Sequence, residues 1–398
     1  MNLRVDAETI RRQLYVFGPA WLVMMADIDV ASIVTGLQSG ATWGYRMIFI
    51  MIILTIPLFV IQDAAGRLGT VGGKGLGEAI RIRYSGKTAA ILSIPMAVSD
   101  FLEYVAEYAG ISIGIMLLGL PLIPLLLLIY VFHAVVVLSR NYRKAEIIML
   151  PISFVLAASI AASAVLFKPN PSLVLSGLSP LQPYGNPSFD YLLAANIGAV
   201  IMPWMLYFHS GADSRKKLKT SDLRAERLET LIGAIASEVL MAMIVIDGIH
   251  LRNVNDFLNI DELSHALAPF GSAAPFLLAM GFLAAGFLAL VVISMASAWG
   301  VLEAVGRTSR RAFLSVYLME SLPALVLVIL YSNYVELMLD LMVLYTIIII
   351  PSLYVLGRLV TDPNIMKGLT YKPWESAMYW AMTAVIIIGG IAGLISMI

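Results

Sequence analysis

The chain contains no cysteine. That excludes disulfides, thiolate metal centres, iron–sulfur clusters and redox chemistry at sulfur. Charge is also scarce. Asp, Glu, Lys and Arg make up 13% of the 398 residues, against roughly 25% in a soluble domain. The 26 basic and 26 acidic residues cancel, so no net field favours nucleic acid. No His-rich metal motif and no nucleophile elbow is present, and an enzyme is not expected. Long polar stretches are missing too. The longest connecting segments are 168–188, 214–227, 251–268 and 358–373, none of a size to fold alone. The polar stretch Met1–Gln13 lacks a cleavage-site pattern, so no removable signal peptide is expected.

What fills the chain is apolar: 60% of residues are hydrophobic. Many runs reach the ~20 residues that span a bilayer as a helix. The pattern predicts an all-α polytopic membrane protein, residues 1–398 forming one membrane domain. Eleven spans are expected at 14–38, 45–66, 87–117, 120–139, 146–167, 189–213, 228–250, 269–305, 312–331, 334–357 and 374–397. Basic residues alternate with this map as the positive-inside rule requires. With a cytoplasmic N-terminus, only Arg46, Lys168 and Arg252 of the 26 Lys and Arg fall outside. The C-terminus then lies outside, and the expected location is the plasma (inner) membrane. The run Lys216-Lys217-x-Lys219 reads as an orientation signal or lipid contact.

Against that background, intramembrane acids stand out, because a charge in hydrocarbon is costly and marks a cavity, a partner or a ligand. Asp27 and Asp29 sit in the middle of span 1. Two residues apart, they cannot share a helical face. Either could face a cavity, a partner or a ligand, and the role of Asp27 stays open. Asp100, Glu103 and Glu107 follow i, i+3, i+7 spacing on span 3. One stripe of three acids suggests a proton or cation relay, with Glu320, His209 and Glu238 as possible partners; a structural network of protonated acids is the alternative. Pro203 interrupts span 6. Interruptions in spans 1 and 6, five segments apart, predict two inverted five-helix repeats, 14–167 and 189–357, plus an extra helix 374–397. Substrate would then bind at the midplane.

At these stretches the chain resembles the NRAMP family of divalent-metal transporters. Gly18-Pro19 opens span 1 as in that family. Asp29-Val30-Ala31-Ser32 stands where the family has Asp-Pro-Gly-Asn, and Gln38 to Tyr45 resembles the segment that follows. Ala199-Val200-Ile201-Met202-Pro203 matches the family's Ala-x-x-Met-Pro. Asp100-Phe101-Leu102-Glu103 resembles its Asp-x-x-Glu, and Arg143-Lys144-Ala145-Glu146 the charged start of its fifth helix. There are departures: Ser32 replaces Asn, Trp204 a His, Glu238 an Asn, Tyr317 an Arg. Thr346 or Ile348 occupies the neighbourhood of a family Gln. The resemblance implies a leucine-transporter-like fold in which Asp29, Ser32, Met202 and the backbone carbonyls of Ala26 and Ala199 hold the metal.

The metal is cargo, and no cofactor is expected. A thioether at Met202 favours Mn²⁺, Fe²⁺ and similar transition metals over Mg²⁺, which prefers oxygen shells. The expected function is therefore secondary transport of divalent transition metals by alternating access, with proton coupling open. An NRAMP-related Mg²⁺ carrier without proton coupling is the alternative, and a carrier of a small organic substrate on the same fold is more remote. Expected partners are the metal ion and the bilayer, with protons open, and neither nucleic acid nor an obligate protein partner.

Overall fold

The computed structural model describes residues 12, 15–254, 256, 257, 259–330 and 335–396. Arg4 and Arg11 of the basic set, and residues 14, 331, 334 and 397 at the edges of expected spans, lie outside the described residues. Regular structure among the described residues is helical throughout. Among the described residues nine helical stretches are long and apolar enough to cross a membrane, and Leu122–Leu138 is a shorter apolar helix.

In chain order the helices begin with α1 (Pro19–Ala26), α2 (Val30–Trp43) and α3 (Ile48–Arg67). Gly44, with φ +62°, ends α2 and leads through a tight turn into α3. Next come α4 (Leu76–Arg83), α5 (Gly86–Leu117), α6 (Leu122–Leu138), α7 (Tyr142–Leu166) and α8 (Pro171–Gly177). The chain continues with α9 (Pro187–Val200), α10 (Pro203–Lys216), α11 (Leu223–His250), α12 (Ile260–Leu267), α13 (Ala273–Val305) and α14 (Arg310–Leu330). It ends with α15 (Val335–Ile348), α16 (Ile350–Leu359) and α17 (Pro373–Ser396). A third interruption, between α15 and α16, was not expected. Pro351 sits one residue into α16, where its missing N–H costs nothing. Segments 168–188 and 251–268, read as plain connections, each carry a short helix, α8 and α12.

Composition sorts these helices radially. α1, α2, α9 and α10 are almost wholly buried, and α13 runs against α5 through the middle. Leu128, Val131 and Val135 of α6, and Ile388, Ile391 and Ile395 of α17, turn outward. In hydrocarbon, helices gain nothing by hiding leucine, so close backbone approach carries the packing. The crossing of α2 with α11 shows this. A Cβ on Gly40 would meet the Val245 carbonyl at 1.9 Å, and one on Gly248 the Leu37 carbonyl at 2.1 Å. Only glycine at both positions permits that contact.

Candidate functional site

Sequence chemistry explains why the two central helices break. Asp29 has an extended backbone and caps α2, its Oδ1 accepting the Ser32 N–H at 2.7 Å. Aspartate is among the best residues at such a position, so Val30-Ala31 opens the helix without Pro-Gly. In an unbroken helix the Val30 N–H would donate to the Ala26 carbonyl. Here it donates to the Glu107 carboxylate, at 3.3 Å from each oxygen. The Ala26 carbonyl is thereby released. The second break follows from proline. Residue 203 would donate to the Ala199 carbonyl, and Pro203 has no N–H. Ile201 and Met202 are extended between α9 and α10. The Ala199 carbonyl accepts instead from the Ser32 hydroxyl at 3.4 Å, which joins the two breaks.

Around this junction the acids converge. Asp29, Glu103 and Glu107 are buried and lie within ligand-sharing range of one another. Carboxyl groups brought this close in a dry interior demand a proton or a cation between them. The Tyr345 hydroxyl donates to Glu103 Oε2 at 2.7 Å. Farther along α5, Asp100 faces Glu320, which accepts from Ser297 at 2.6 Å. Asp27 turns the other way. Its Oδ2 accepts from Ser237 at 3.0 Å, and Glu238 is its electrostatic neighbour. No Lys or Arg among the described residues pairs with Asp27, Asp29, Asp100, Glu103, Glu107, Glu238 or Glu320. Asp27 Oδ1, Asp29 Oδ2, Glu103 Oε1 and both oxygens of Asp100 and Glu238 are buried without a hydrogen-bond partner. Buried carboxylates of this density exist only with protons or cations to balance them.

The predicted site residues thus divide. Asp29, Ser32 and the Ala26 and Ala199 carbonyls meet at the two breaks, and Met202 is buried at the second of them. Glu103 and Glu107 lie beside Asp29, and Asp100 faces Glu320. Glu238 joins Asp27 instead. His209 sits farther along α10 with Gln62 of α3. Reading the departures from the family pattern misses Tyr345. Thr346, the expected substitute, bonds back to the Val343 carbonyl at 2.6 Å, and the tyrosine beside it reaches Glu103. Tyr317 is bonded to His133, at 3.2 Å.

Of the two readings of the lysine run, lipid contact does not hold for Lys216, which is buried. Its Nζ donates to Glu146 Oε1 at 2.5 Å and to the Val16 and Phe17 carbonyls at 3.1 and 2.8 Å. Glu229 accepts the N–H groups of Gly18 and Trp21 at 2.7 and 2.8 Å, and Arg12 pairs with Asp222. Together these clamp the chain leading into α1 against α7, α10 and α11. A run of lysines looks uniform in sequence, and only tertiary packing singles out the one that is enclosed.

The model of the natural resistance-associated macrophage protein-like (Nramp) family matches residues 20–396. A relative from Xylella fastidiosa, named a divalent metal cation transporter, is 27% identical over 398 residues, covering 95% of this chain and 84% of its own. The manganese transporter of Eremococcus coleocola, solved with an aromatic bis-isothiourea substituted compound, superposes with a TM-score of 0.84 at 20% identity. It covers 100% of this chain and 89% of its own. Mhp1, a nucleobase-cation-symport-1 family transporter, superposes at 0.60 with 16% identity, covering 96% of this chain and 91% of its own. These likenesses establish the expected broken-helix transporter fold.

Proposed function

The chain belongs to the Nramp family, and on that premise we propose that it carries divalent transition-metal ions across a membrane by alternating access. The observation that supports this most is the pair of released carbonyls, Ala26 and Ala199, at breaks that bring together Asp29 and Ser32. A cation placed there would take the Asp29 carboxylate, the Ser32 hydroxyl, those two carbonyls and the thioether of Met202. Hard oxygen donors plus one soft sulfur favour Mn²⁺ or Fe²⁺ over Mg²⁺. The metal is cargo, and the family is one of transporters, not enzymes.

Proton coupling is the finer reading. Asp29 and Glu103 lie side by side with no basic partner, so a proton held between them would balance their charge. Arrival of M²⁺ at Asp29 would displace that proton to Glu103, and from there the path runs to Asp100 and Glu320, with Glu107 holding the Val30 N–H. His209 and Glu238 lie off this path. We read the topology as eleven crossings: two inverted repeats, 14–167 and 189–357, and a final helix at 374–397. The distribution of basic residues supports a cytoplasmic N-terminus and an outward-facing C-terminus.

Liposome uptake tests the proposal. Asp29→Ala should abolish Mn²⁺ uptake, and normal uptake by that variant would overturn the metal assignment. A pH-sensitive dye inside the vesicles reads the coupling. Uptake of Mn²⁺ without any accompanying proton flux would remove the relay and leave the metal site standing.

A further inference from the structure

His209 faces two carboxylates that the cargo site does not use. Its Nδ1 lies 3.0 Å from Gln62 Oε1. That oxygen has no proton to give, so Nδ1 carries a hydrogen, and in the neutral imidazole Nε2 presents a lone pair. The lone pair points at Glu226 Oε1, 3.2 Å away, and at Asp213 Oδ2, 3.9 Å away. All three side chains are fully buried, and Nε2 has no hydrogen-bond partner. With the imidazole neutral, three lone-pair donors are turned toward one another, and a proton or a metal ion between them relieves their repulsion.

The surroundings are those of a metal site with its ligands held in place. Gln62 fixes the imidazole tautomer. The Thr70 hydroxyl donates to Asp213 Oδ2 at 3.0 Å, and the Thr230 hydroxyl donates to Glu226 Oε1 at 2.8 Å. Such outer hydrogen bonds orient metal ligands and raise their basicity. The backbone of α3 closes the fourth side. A Cβ on Gly66 would lie 1.9 Å from Glu226 Oε1 and 2.9 Å from His209 Cε1. The spacing also fits. With metal–ligand bonds of ~2.1 Å, the two separations correspond to angles of roughly 100° and 135° at the metal.

We propose that His209, Asp213 and Glu226 form a second divalent-metal site, distinct from the one at the helix breaks. One imidazole with two carboxylates suits Mn²⁺, Fe²⁺, Co²⁺ or Zn²⁺ and gives Mg²⁺ no advantage. His209 is seven residues past Met202 on α10, ~10 Å along the axis, toward the end that carries Lys216. Metal leaving the first site would meet it on the way to the cytoplasm. That transit role rests on the transport reading above; the site itself does not.

Electron spin-echo spectroscopy of Mn²⁺ bound to the purified full chain separates the two sites, because only the second contains a nitrogen ligand. At saturating Mn²⁺, wild type should bind two ions and show nitrogen-14 modulation from one imidazole. Asp29→Asn should keep the modulation and bind one ion; His209→Ala should lose the modulation and also bind one. Thr230→Ala leaves all three ligands in place and should weaken the nitrogen-coupled ion by about tenfold. Wild type whose bound Mn²⁺ shows no nitrogen coupling overturns the site whatever the variants do. So does loss of the coupling in Asp29→Asn. Liposome uptake by Asp29→Asn judges the transport reading separately.

Discussion

Asp29 does two jobs that a pair of substitutions can separate. It caps α2 through Oδ1, and it supplies the negative charge at the breaks. Asparagine caps as well as aspartate does, so Asp29→Asn should leave the fold within a few tenths of a kcal/mol. Alanine removes the cap as well, at a cost of about 1 kcal/mol. The charge matters far more for binding. Losing a group that merely orients a ligand costs roughly 10- to 100-fold in metal affinity. Losing the anionic ligand itself should exceed that, giving more than about 100-fold weaker Mn²⁺ binding, or ~2.7 kcal/mol. Isothermal titration with Mn²⁺, alongside thermal unfolding in the same detergent, reads both quantities. The binding isotherm needs two sites, and the loss belongs to the ion without nitrogen coupling. Two Mn²⁺ ions bound to Asp29→Asn within about threefold of wild-type affinity would refute the assignment, because the fold cannot then be blamed.

Other outcomes follow from the same geometry. Met202→Ala should erode the preference for Mn²⁺ over Mg²⁺ in competitive uptake while Mg²⁺ binding is spared; unchanged selectivity would remove the thioether from the site. Glu103→Gln should keep Mn²⁺ binding but reduce the protons moved per metal, read with an internal dye. Gly248→Leu must push α2 from α11, where a Cβ already meets the Leu37 carbonyl at 2.1 Å; its melting temperature should fall by several degrees. Asp362 lies outside the spans. Burial raises its carboxyl pKa, yet the Asn364 N–H and the Arg83 guanidinium together pull it below the ordinary value. A depressed folded pKa gives stability that is complete above the unfolded value and is lost as pH falls through the folded one. Hydrogen exchange in 360–372 should therefore quicken below about pH 4, and Arg83→Ala should flatten that dependence.

The membrane class, the apolar spans and the breaks in spans 1 and 6 were legible because each has a local cause. Apolar run length reports the bilayer, Pro203 removes a donor, and an acid in mid-span cannot be packing filler. The stripe Asp100, Glu103, Glu107 was legible because helical spacing alone puts those residues on one face. What joined them was not. Tyr345 reaches Glu103 across 242 positions, and no periodicity foretells that. The group around His209 was half visible. Asp213 follows His209 by one turn, a spacing that could have been noticed, whereas Glu226 and Gln62 come from α11 and α3. The break between α15 and α16 escaped because Pro351 was absorbed into an unbroken apolar run.

The clamp around Lys216 has a consequence for how the cytoplasmic side can open. Its ammonium and the carboxylates of Glu146 and Glu229 are almost completely shielded from solvent. Pulling α1 away would leave the Lys216–Glu146 pair in place but strip Lys216 of the Val16 and Phe17 carbonyls and Glu229 of the Gly18 and Trp21 N–H groups. Leaving buried charged or polar groups short of partners in a dry interior costs several kcal/mol. Separation without hydration is therefore uphill at every step. Water must enter as the contacts part, so that unlatching and flooding are one event. The release rate should then respond to anything that changes the activity of water, osmolytes above all, even where the metal ligands are untouched.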